Sequence, residues 1–192
     1  MTMNADINRD KILIRPDIRR LWPADKAALL AHFARLDPEM RRLRFGASVT
    51  EDYVTDYADS ILSLDSVVHG AFVDGDLHGV GELRMLLNSW PVRAEIALSV
   101  DPDWQHEGIG DALFVRMLAA AQNRGVRSLY MMCLPENERM QRLARRHEAT
   151  LTFDIGEVEA TLDPPWPTAL SLAEEMMGET RTYLHAVLRP PF

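Results

Sequence analysis

The sequence predicts one α/β domain: a mixed, mostly antiparallel sheet flanked by helices, with a C-terminal helix. Three observations carry this expectation. A chain of 192 residues that is 47% hydrophobic can bury one substantial core and is short for two domains. Short apolar runs with strand character recur along it between turn signals, and stretches of helical periodicity lie between those runs. Pro and Gly act as punctuation only, with no repeat, low-complexity tract or interdomain linker.

Each element follows in order. ILIRP, Ile12 to Pro16, reads as a first strand. Pro23 to Arg35 reads as a helix, with Pro suited to its first turn and Leu29, Leu30 and Phe33 at helical spacing. Thr50 to Leu62 reads as a second helix. Val67 to Val73 and Gly79 to Leu87 are apolar runs separated by DGD, Asp74 to Asp76, a hairpin signal that makes them antiparallel strands. In AEIALSV, Ala94 to Val100, the residues Ile96, Leu98 and Val100 face one way and Glu95, Ala97 and Ser99 the other. A helix then carries the stripe Ile109, Leu113, Met117, Ala121, and Gly125 ends it. Val126 to Leu134 reads as a fifth strand, and Asn137 caps a helix bearing Met140, Leu143 and Ala144. Leu151 to Asp154 and Glu157 to Leu162 flank Ile155-Gly156 as a small hairpin. Beyond the break PPWP, Leu172, Met176, Tyr183, Leu184 and Val187 repeat at helical intervals.

A formal net charge of -8 argues against nucleic acid, which is bound mainly through clustered Lys and Arg. It favours a neutral or cationic partner. All but two of the 21 basic residues, Lys11 and Lys26, are arginine, the residue suited to bidentate pairing with carboxylate or phosphate. Cys133 is the sole cysteine and sits in the apolar run YMMCL. No intramolecular disulfide is therefore available, a buried thiol is expected, and a reducing, cytoplasmic setting fits. The N-terminal stretch lacks an apolar core of the signal-peptide kind, and no window reaches the roughly 18 apolar residues of a membrane span. No His, Cys or carboxylate cluster has metal-ligand spacing, so no metal is expected.

The most informative stretch is WQHEGIG, Trp104 to Gly110, which joins a strand to a helix. The first N–H groups of a helix have no internal partner and carry partial positive charge, so such a turn is a ready anion site. Glycine at 108 and 110 removes two Cβ atoms where a ligand must approach the backbone. An ordinary βα connection would use the same residues. Two other phosphate motifs fail: Gly110 is followed by Asp111 and Ala112 rather than Lys-Ser/Thr, and Leu113 stands where a dinucleotide fingerprint needs glycine.

From Val100 to Gly110 the chain resembles the Gln/Arg-x-x-Gly-x-Gly/Ala motif of the GNAT superfamily of acyl-CoA-dependent N-acetyltransferases. The antiparallel strands before it, the helix after it, the Val126 to Leu134 strand and Asn137 with Met140 and Leu143 come in that superfamily's order. IRP followed by LDPEMRRLRF, Leu36 to Phe45, resembles the start of the acetyltransferase domain of bacterial protein-lysine acetyltransferases. The resemblance spans roughly residues 10–162, with 163–192 a helical extension packed on the domain or on a partner chain, so a homodimer is one arrangement to consider.

The resemblance implies acetyl-CoA as co-substrate. Leu98, Ser99 and Val100 would offer backbone groups to the pantetheine arm where the fourth and fifth strands splay. The amides of Gln105, His106, Glu107, Gly108, Ile109, Gly110 and Asp111 would hold the pyrophosphate, and Asn137 would face the thioester besides capping its helix. Three departures stand out. Glu107 replaces a basic residue common in the family, and a carboxylate there repels phosphate unless it points into water. Ala144 stands where many members have a Tyr that protonates the departing thiolate. Glu148-Ala149 replaces a Gly-Phe.

Transfer to an amine requires a group that takes its proton. Glu95, on the strand leading into the turn, stands nearly where some protein-acetylating members of the superfamily have a catalytic Glu, and a drier cleft would raise its pKa to a useful value. A solvent-facing Glu paired with Arg93 is the alternative. Glu82 on the preceding strand is the second candidate, while His106 and His147 read as solvent-facing. Two functions compete: an N-acetyltransferase acting on a protein lysine, an N-terminus or a small-molecule amine by direct attack in a ternary complex, or a non-catalytic acyl-CoA-binding sensor or regulatory module.

Overall fold

The computed structural model describes residues 16–62, 66–86, 89–173 and 175–177. Strand β1 (Asp17–Arg20) leads through a 3-10 turn at Pro23–Asp25 into α1 (Lys26–Arg35), followed by α2 (Pro38–Phe45) and α3 (Glu51–Ile61). Strands β2 (Ser66–Val73), β3 (Asp76–Leu86) and β4 (Arg93–Val100) then form a meander. A second 3-10 turn, Pro102–Trp104, precedes α4 (Ile109–Asn123), β5 (Ser128–Cys133), α5 (Glu138–Arg146), β6 (Thr150–Asp154) and β7 (Glu157–Leu162). The seven strands form one sheet in the order β1-β2-β3-β4-β5-β7-β6, antiparallel throughout except for the β4–β5 pair.

Strand alternation sends side chains into two cores, one on each face of the sheet. Leu83, Ala94, Ile96, Leu98, Leu129 and Met131 pack with Leu113, Phe114 and Met117 of α4 and Ala144 of α5. On the opposite face Val68, Leu77 and Val80 pack with Leu29 and Phe33 of α1 and Val54, Ala58 and Ile61 of α3. The residues between the core positions of β4, namely Glu95, Ala97 and Ser99, therefore lie on the α1–α3 side. The expected alternation of this strand is borne out.

Several boundaries differ from the sequence reading. The expected strand over Ile12 to Pro16 lies almost wholly outside the described residues, and the observed β1 begins at Asp17. The β5 ladder is shorter than Val126 to Leu134, because the Val126 N–H bonds back to the Ala121 carbonyl in the turn closing α4. Helix α2 was not foreseen. Its start signals were present, since the Asp37 carboxylate accepts from the Met40 N–H and Pro38 fills the first turn. Its end signal was present too, in Gly46 at φ 75°. What it lacks is a buried apolar stripe, for Met40 and Phe45 are only partly buried against the core.

The segment after PPWP packs on the end of α4. The Arg127 guanidinium stacks 3.6 Å from the Trp166 ring, Asn123 donates to the Ser171 carbonyl, and Arg124 pairs with Glu175 at 2.8 Å. Residues 169–173 and 175–177 are helical; Tyr183, Leu184 and Val187 lie outside the described residues. Among the described residues no helix is long and apolar enough to cross a membrane.

Candidate active site

The site begins where β4 and β5 part. Their parallel ladder has three rungs, Arg93 with Ser128, Ala94 with Leu129 and Glu95 with Tyr130. From Ile96 onward β4 has no partner on the β5 side, so a wedge opens through the sheet and exposes main-chain polar groups along its edges. A cavity lies on either side of this wedge.

The first cavity, about 400 Å³, runs from the wedge to the start of α4 and is lined by Leu98, Ser99 and Val100 of β4 and by Asn137, Met140 and Leu143. Its far end is the turn WQHEGIG. Gly108 is the N-cap of α4 at φ 79°, a conformation costly for a residue with a Cβ. Because glycine has no side chain to cap the helix, the leading N–H groups are left open to an anion. Gly110 lines the cavity, and a Cβ there would meet nothing nearer than Val100 Cγ2 at 3.9 Å. Packing inside the protein therefore does not demand its glycine, and the open space faces the cavity.

Other residues of the turn have distinct placements. Gln105, His106 and Asp111 line the cavity. The Gln105 amide donates to the Val100 carbonyl at 3.2 Å and accepts from Arg139, tying the turn to β4 and α5. Ile109 is buried in the core, so its backbone alone can reach a ligand. Glu107 is exposed and outside the cavity lining, which places its carboxylate in water rather than against the cleft. Asn137 both caps α5, accepting from the Met140 N–H at 3.2 Å, and lines the cavity. Ala144 is fully buried in the core, so position 144 faces away from the cleft.

The sequence reading missed the positive charge of this cavity. Arg139, Arg142 and Arg146 of α5 line it opposite the α4 N-terminus. Their i, i+3, i+7 spacing puts them on one face of the helix, a signal that ERMQRLARR carries openly. His147 also differs from expectation. It is mostly buried, with its ring stacked 4.3 Å from Phe114 and Nε2 3.0 Å from Asp111 Oδ1. His106 is exposed, as expected.

The second cavity, about 270 Å³, lies on the other side of the wedge and is lined by Tyr53, Tyr57, Glu82, Arg84, Glu95 and Ala97 among others. Arg44 lines both cavities. The carboxylate of Glu82, 2% exposed, is fully engaged: Arg44 donates to Oε2 at 3.1 Å, Arg84 to Oε1 at 3.0 Å, Ser66 to Oε1 at 3.4 Å, and the Tyr57 hydroxyl to Oε2. Two guanidiniums, a phenol and a hydroxyl thus occupy its acceptor sites and fix it in the cavity wall. Burial pushes the Tyr57 phenol well above its ordinary range, with Glu82 adding to the effect.

Glu95 is the opposite case. Its side chain is half-buried and makes no hydrogen bond or ion pair with the described residues, and burial raises its pKa, with the Glu82 charge adding to the rise and Arg84 opposing it. The alternative, pairing with Arg93 or another basic neighbour, is not seen among the described residues; the Arg93 guanidinium lies 5.3 Å from the Tyr130 ring. Cys133 is buried as expected, and burial pushes its thiol up. Among the described residues no group of three or more His, Cys, Asp or Glu could hold a metal ion.

This geometry agrees with comparisons to known proteins. The sequence profile of the Acetyltransferase (GNAT) family matches residues 32–148. The chain belongs to the GNAT acetyltransferase family. That span runs from within α1 to the end of α5 and holds the wedge, the first cavity and all of the second cavity's lining except Gly156 and Glu157. Solved GNAT structures share the fold. The GNAT domain of PAT from S. lividans is 22% identical with a TM-score of 0.67, over 76% of this chain and 89% of that one. The yncA protein from Salmonella typhimurium, solved with its cofactor acetyl-CoA, is 17% identical with a TM-score of 0.62, over 81% and 97%. The PaiA N-acetyltransferase from Thermoplasma acidophilum, in complex with coenzyme A, is 20% identical with a TM-score of 0.59, over 78% and 99%.

Proposed function

We propose that this GNAT acetyltransferase binds acetyl-CoA in the first cavity and transfers the acetyl group to a primary amine held in the second, by direct attack in a ternary complex. The observation that carries the reading is the wedge itself: two cavities meet across it, one suited to an anionic, elongated cofactor and the other holding a carboxylate with no partner among the described residues. The pyrophosphate would lie on the α4 amides of Gly108 to Asp111 with Arg139, Arg142 and Arg146 facing it, and the pantetheine arm along Leu98 to Val100 between Met140 and Leu143. The acetyl-CoA and coenzyme A complexes of the similar structures support this use of the cleft.

Glu95 acts as the base. It takes a proton from the ammonium, directly or through water, and its raised pKa suits that role near neutrality. The neutral amine attacks the thioester carbonyl and coenzyme A thiolate leaves. The acceptor is a protein lysine, an N-terminus or a small-molecule amine, and the cavity's aromatic and acidic lining, Tyr53, Tyr57 and Glu95, suits a cation. The exposed position of Glu107 and the three arginines favour a working cofactor site over a degenerate sensor. Residues 10–162 would form the catalytic domain, with the remainder braced against α4, in a protein of the cytoplasm.

The test is calorimetric titration with acetyl-CoA, coenzyme A and ATP, followed by coenzyme A release with and without polyamines, free amino acids and lysine peptides. Selective binding of the coenzyme A compounds with amine-dependent release is expected. Binding without release by any amine would favour the sensor reading, and no binding would remove both.

A further inference from the structure

A buried polar array leads from the core to the cofactor cavity and is unused by amine transfer. His32 of α1 is 0% exposed. Its Nε2 lies 2.8 Å from Ser99 Oγ, and its Nδ1 lies 2.7 Å from Asp101 Oδ1, although that N–H is not well aligned with the oxygen. Asp101 Oδ2 in turn accepts from Arg35 Nε at 2.7 Å and lies 3.0 Å from His78 Nδ1. The order is carboxylate, imidazole, hydroxyl, and the residue that carries the hydroxyl, Ser99, lines the proposed acyl-CoA cavity.

The chemistry of the array sets its protonation. Burial lowers the pKa of His32 and so favours a neutral ring, while Asp101 is held below the ordinary carboxylate range by His32, Arg35 and His78 against the opposing effect of burial. A carboxylate can only accept, so the ring proton belongs on Nδ1. Nε2 is then an acceptor, the Ser99 O–H points at it, and the oxygen lone pairs of Ser99 are left for the cavity. A serine whose proton is directed at an imidazole backed by a carboxylate is the arrangement of an activated nucleophile. Beyond Glu95 the wedge-side edge of β4 has no ladder partner on β5, and main-chain N–H groups there are available to a carbonyl oxygen.

We propose that Ser99, with His32 as its base and Asp101 as the residue that positions His32, accepts the acyl group of a bound acyl-CoA when no amine is present, giving the protein an amine-independent acyl-CoA hydrolase activity. Ser99 Oγ bonds to the thioester carbonyl carbon as its proton passes to His32 Nε2. The carbon–sulfur bond breaks, and the coenzyme A thiolate leaves with that proton. Water, giving its proton to Nε2, then hydrolyses the ester, releasing acetate and returning the proton to Ser99. The inference rests on the first cavity being the acyl-CoA site, with the thioester halted beside Ser99 when no amine draws it on towards Glu95.

Intact-protein mass spectrometry after mixing the full chain with acetyl-CoA, without amine, tests it, alongside calorimetry with coenzyme A. The expected result is one added acetyl group, removed by hydroxylamine and mapped to Ser99, with slow steady release of coenzyme A. Ser99→Ala, shown to be folded by circular dichroism, should lose the adduct and at least tenfold of that release. Ser99→Cys keeps a nucleophile and should trap the acetyl group as a thioester. If coenzyme A binds but wild-type protein and Ser99→Cys both stay unmodified, or the acetyl group maps to Lys26 or another amine, the proposal is overturned. If coenzyme A does not bind, it is the cavity reading that fails, and the nucleophile falls with it.

Discussion

Glu95 and Tyr130 form the last rung of the β4–β5 ladder, and every proposed chemical group of the site is arranged around the gap that opens beyond them. Along β4, Glu95 and Ala97 line the second cavity while Ser99 lines the first. These three share one face of the pleated strand, which meets the second cavity near the last β5 rung and the first cavity further along.

If Glu95 is the base, Glu95→Gln lowers the acetylation rate by ~10²–10⁴-fold, the usual span of a lost general base, and leaves coenzyme A affinity in place. The rate of the wild-type enzyme rises with pH through an apparent pKa above the ordinary Glu value, since the carboxylate must be deprotonated to act. A stability effect accompanies it. The folded state holds the Glu95 proton more tightly than the unfolded chain does, so this residue's contribution is most favourable below the unfolded Glu pKa and is lost as pH rises through the folded one. Glu95→Gln should therefore not lower the melting temperature at neutral pH. A rate within twofold of wild type would remove the assignment.

Glu82→Gln tests a structural carboxylate. It leaves the buried Arg44 and its neighbour Arg84 without their counter-ion, and breaking a buried pair costs on the order of 3–5 kcal/mol. Urea unfolding measures this, and an unchanged midpoint with lost activity would return Glu82 to the list of bases.

Gly110→Val fills open space facing the first cavity. The variant should fold, with a helix-propensity change of under about 1 kcal/mol, and lose detectable coenzyme A binding by calorimetry. Gly108→Val is expected to lose binding and stability together, because its φ of 79° suits glycine. Normal binding by Gly110→Val would place the pyrophosphate elsewhere.

Charge reversal separates the α5 arginines from Glu107. Arg142→Glu should weaken coenzyme A by roughly tenfold or more, the scale of one charge-assisted contact of about 1.5 kcal/mol. Glu107→Arg should change the dissociation constant by no more than about twofold, since water and salt screen an exposed charge. The reverse ranking would mean that phosphate sits beside the Glu107 side chain and away from α5.

His69 offers a pH test of the fold. Burial lowers its pKa to about 4 from a model-peptide value of 6.5, with Arg116 and Arg20 adding to the effect. Between those values the unfolded chain binds a proton that the folded chain does not, so stability falls as pH drops from 6.5 towards 4. His69→Gln should flatten that part of a stability–pH curve measured by chemical denaturation.

Much of this was legible in the residues. The WQHEGIG turn, the β2–β3 hairpin around Asp74-Gly75-Asp76, the β6–β7 hairpin and the Asn137 cap are local signals, readable because turns and caps depend on a few neighbouring side chains. Helix α2 escaped notice because its apolar residues are only partly buried and too few to mark an apolar period. The arginine face of α5 was visible as spacing, yet its meaning required knowing that α5 packs opposite the start of α4. The contrast between Glu95 and Glu82 was not legible, for both are single carboxylates on adjoining strands.

The sequence by itself determined the order of the elements other than α2, the strand-to-helix anion turn and which side chains of β4 share a face, since these follow from backbone sterics and periodicity over a few residues. Tertiary structure decided what lies across the wedge: Glu82 clamped by Arg44 and Arg84, Glu95 left without a partner among the described residues, and His32 carried from α1 to within hydrogen-bonding distance of Ser99. Those relationships join residues up to 67 positions apart, and the energy of a charge or a proton depends on which groups the folded chain brings within a few ångströms of it.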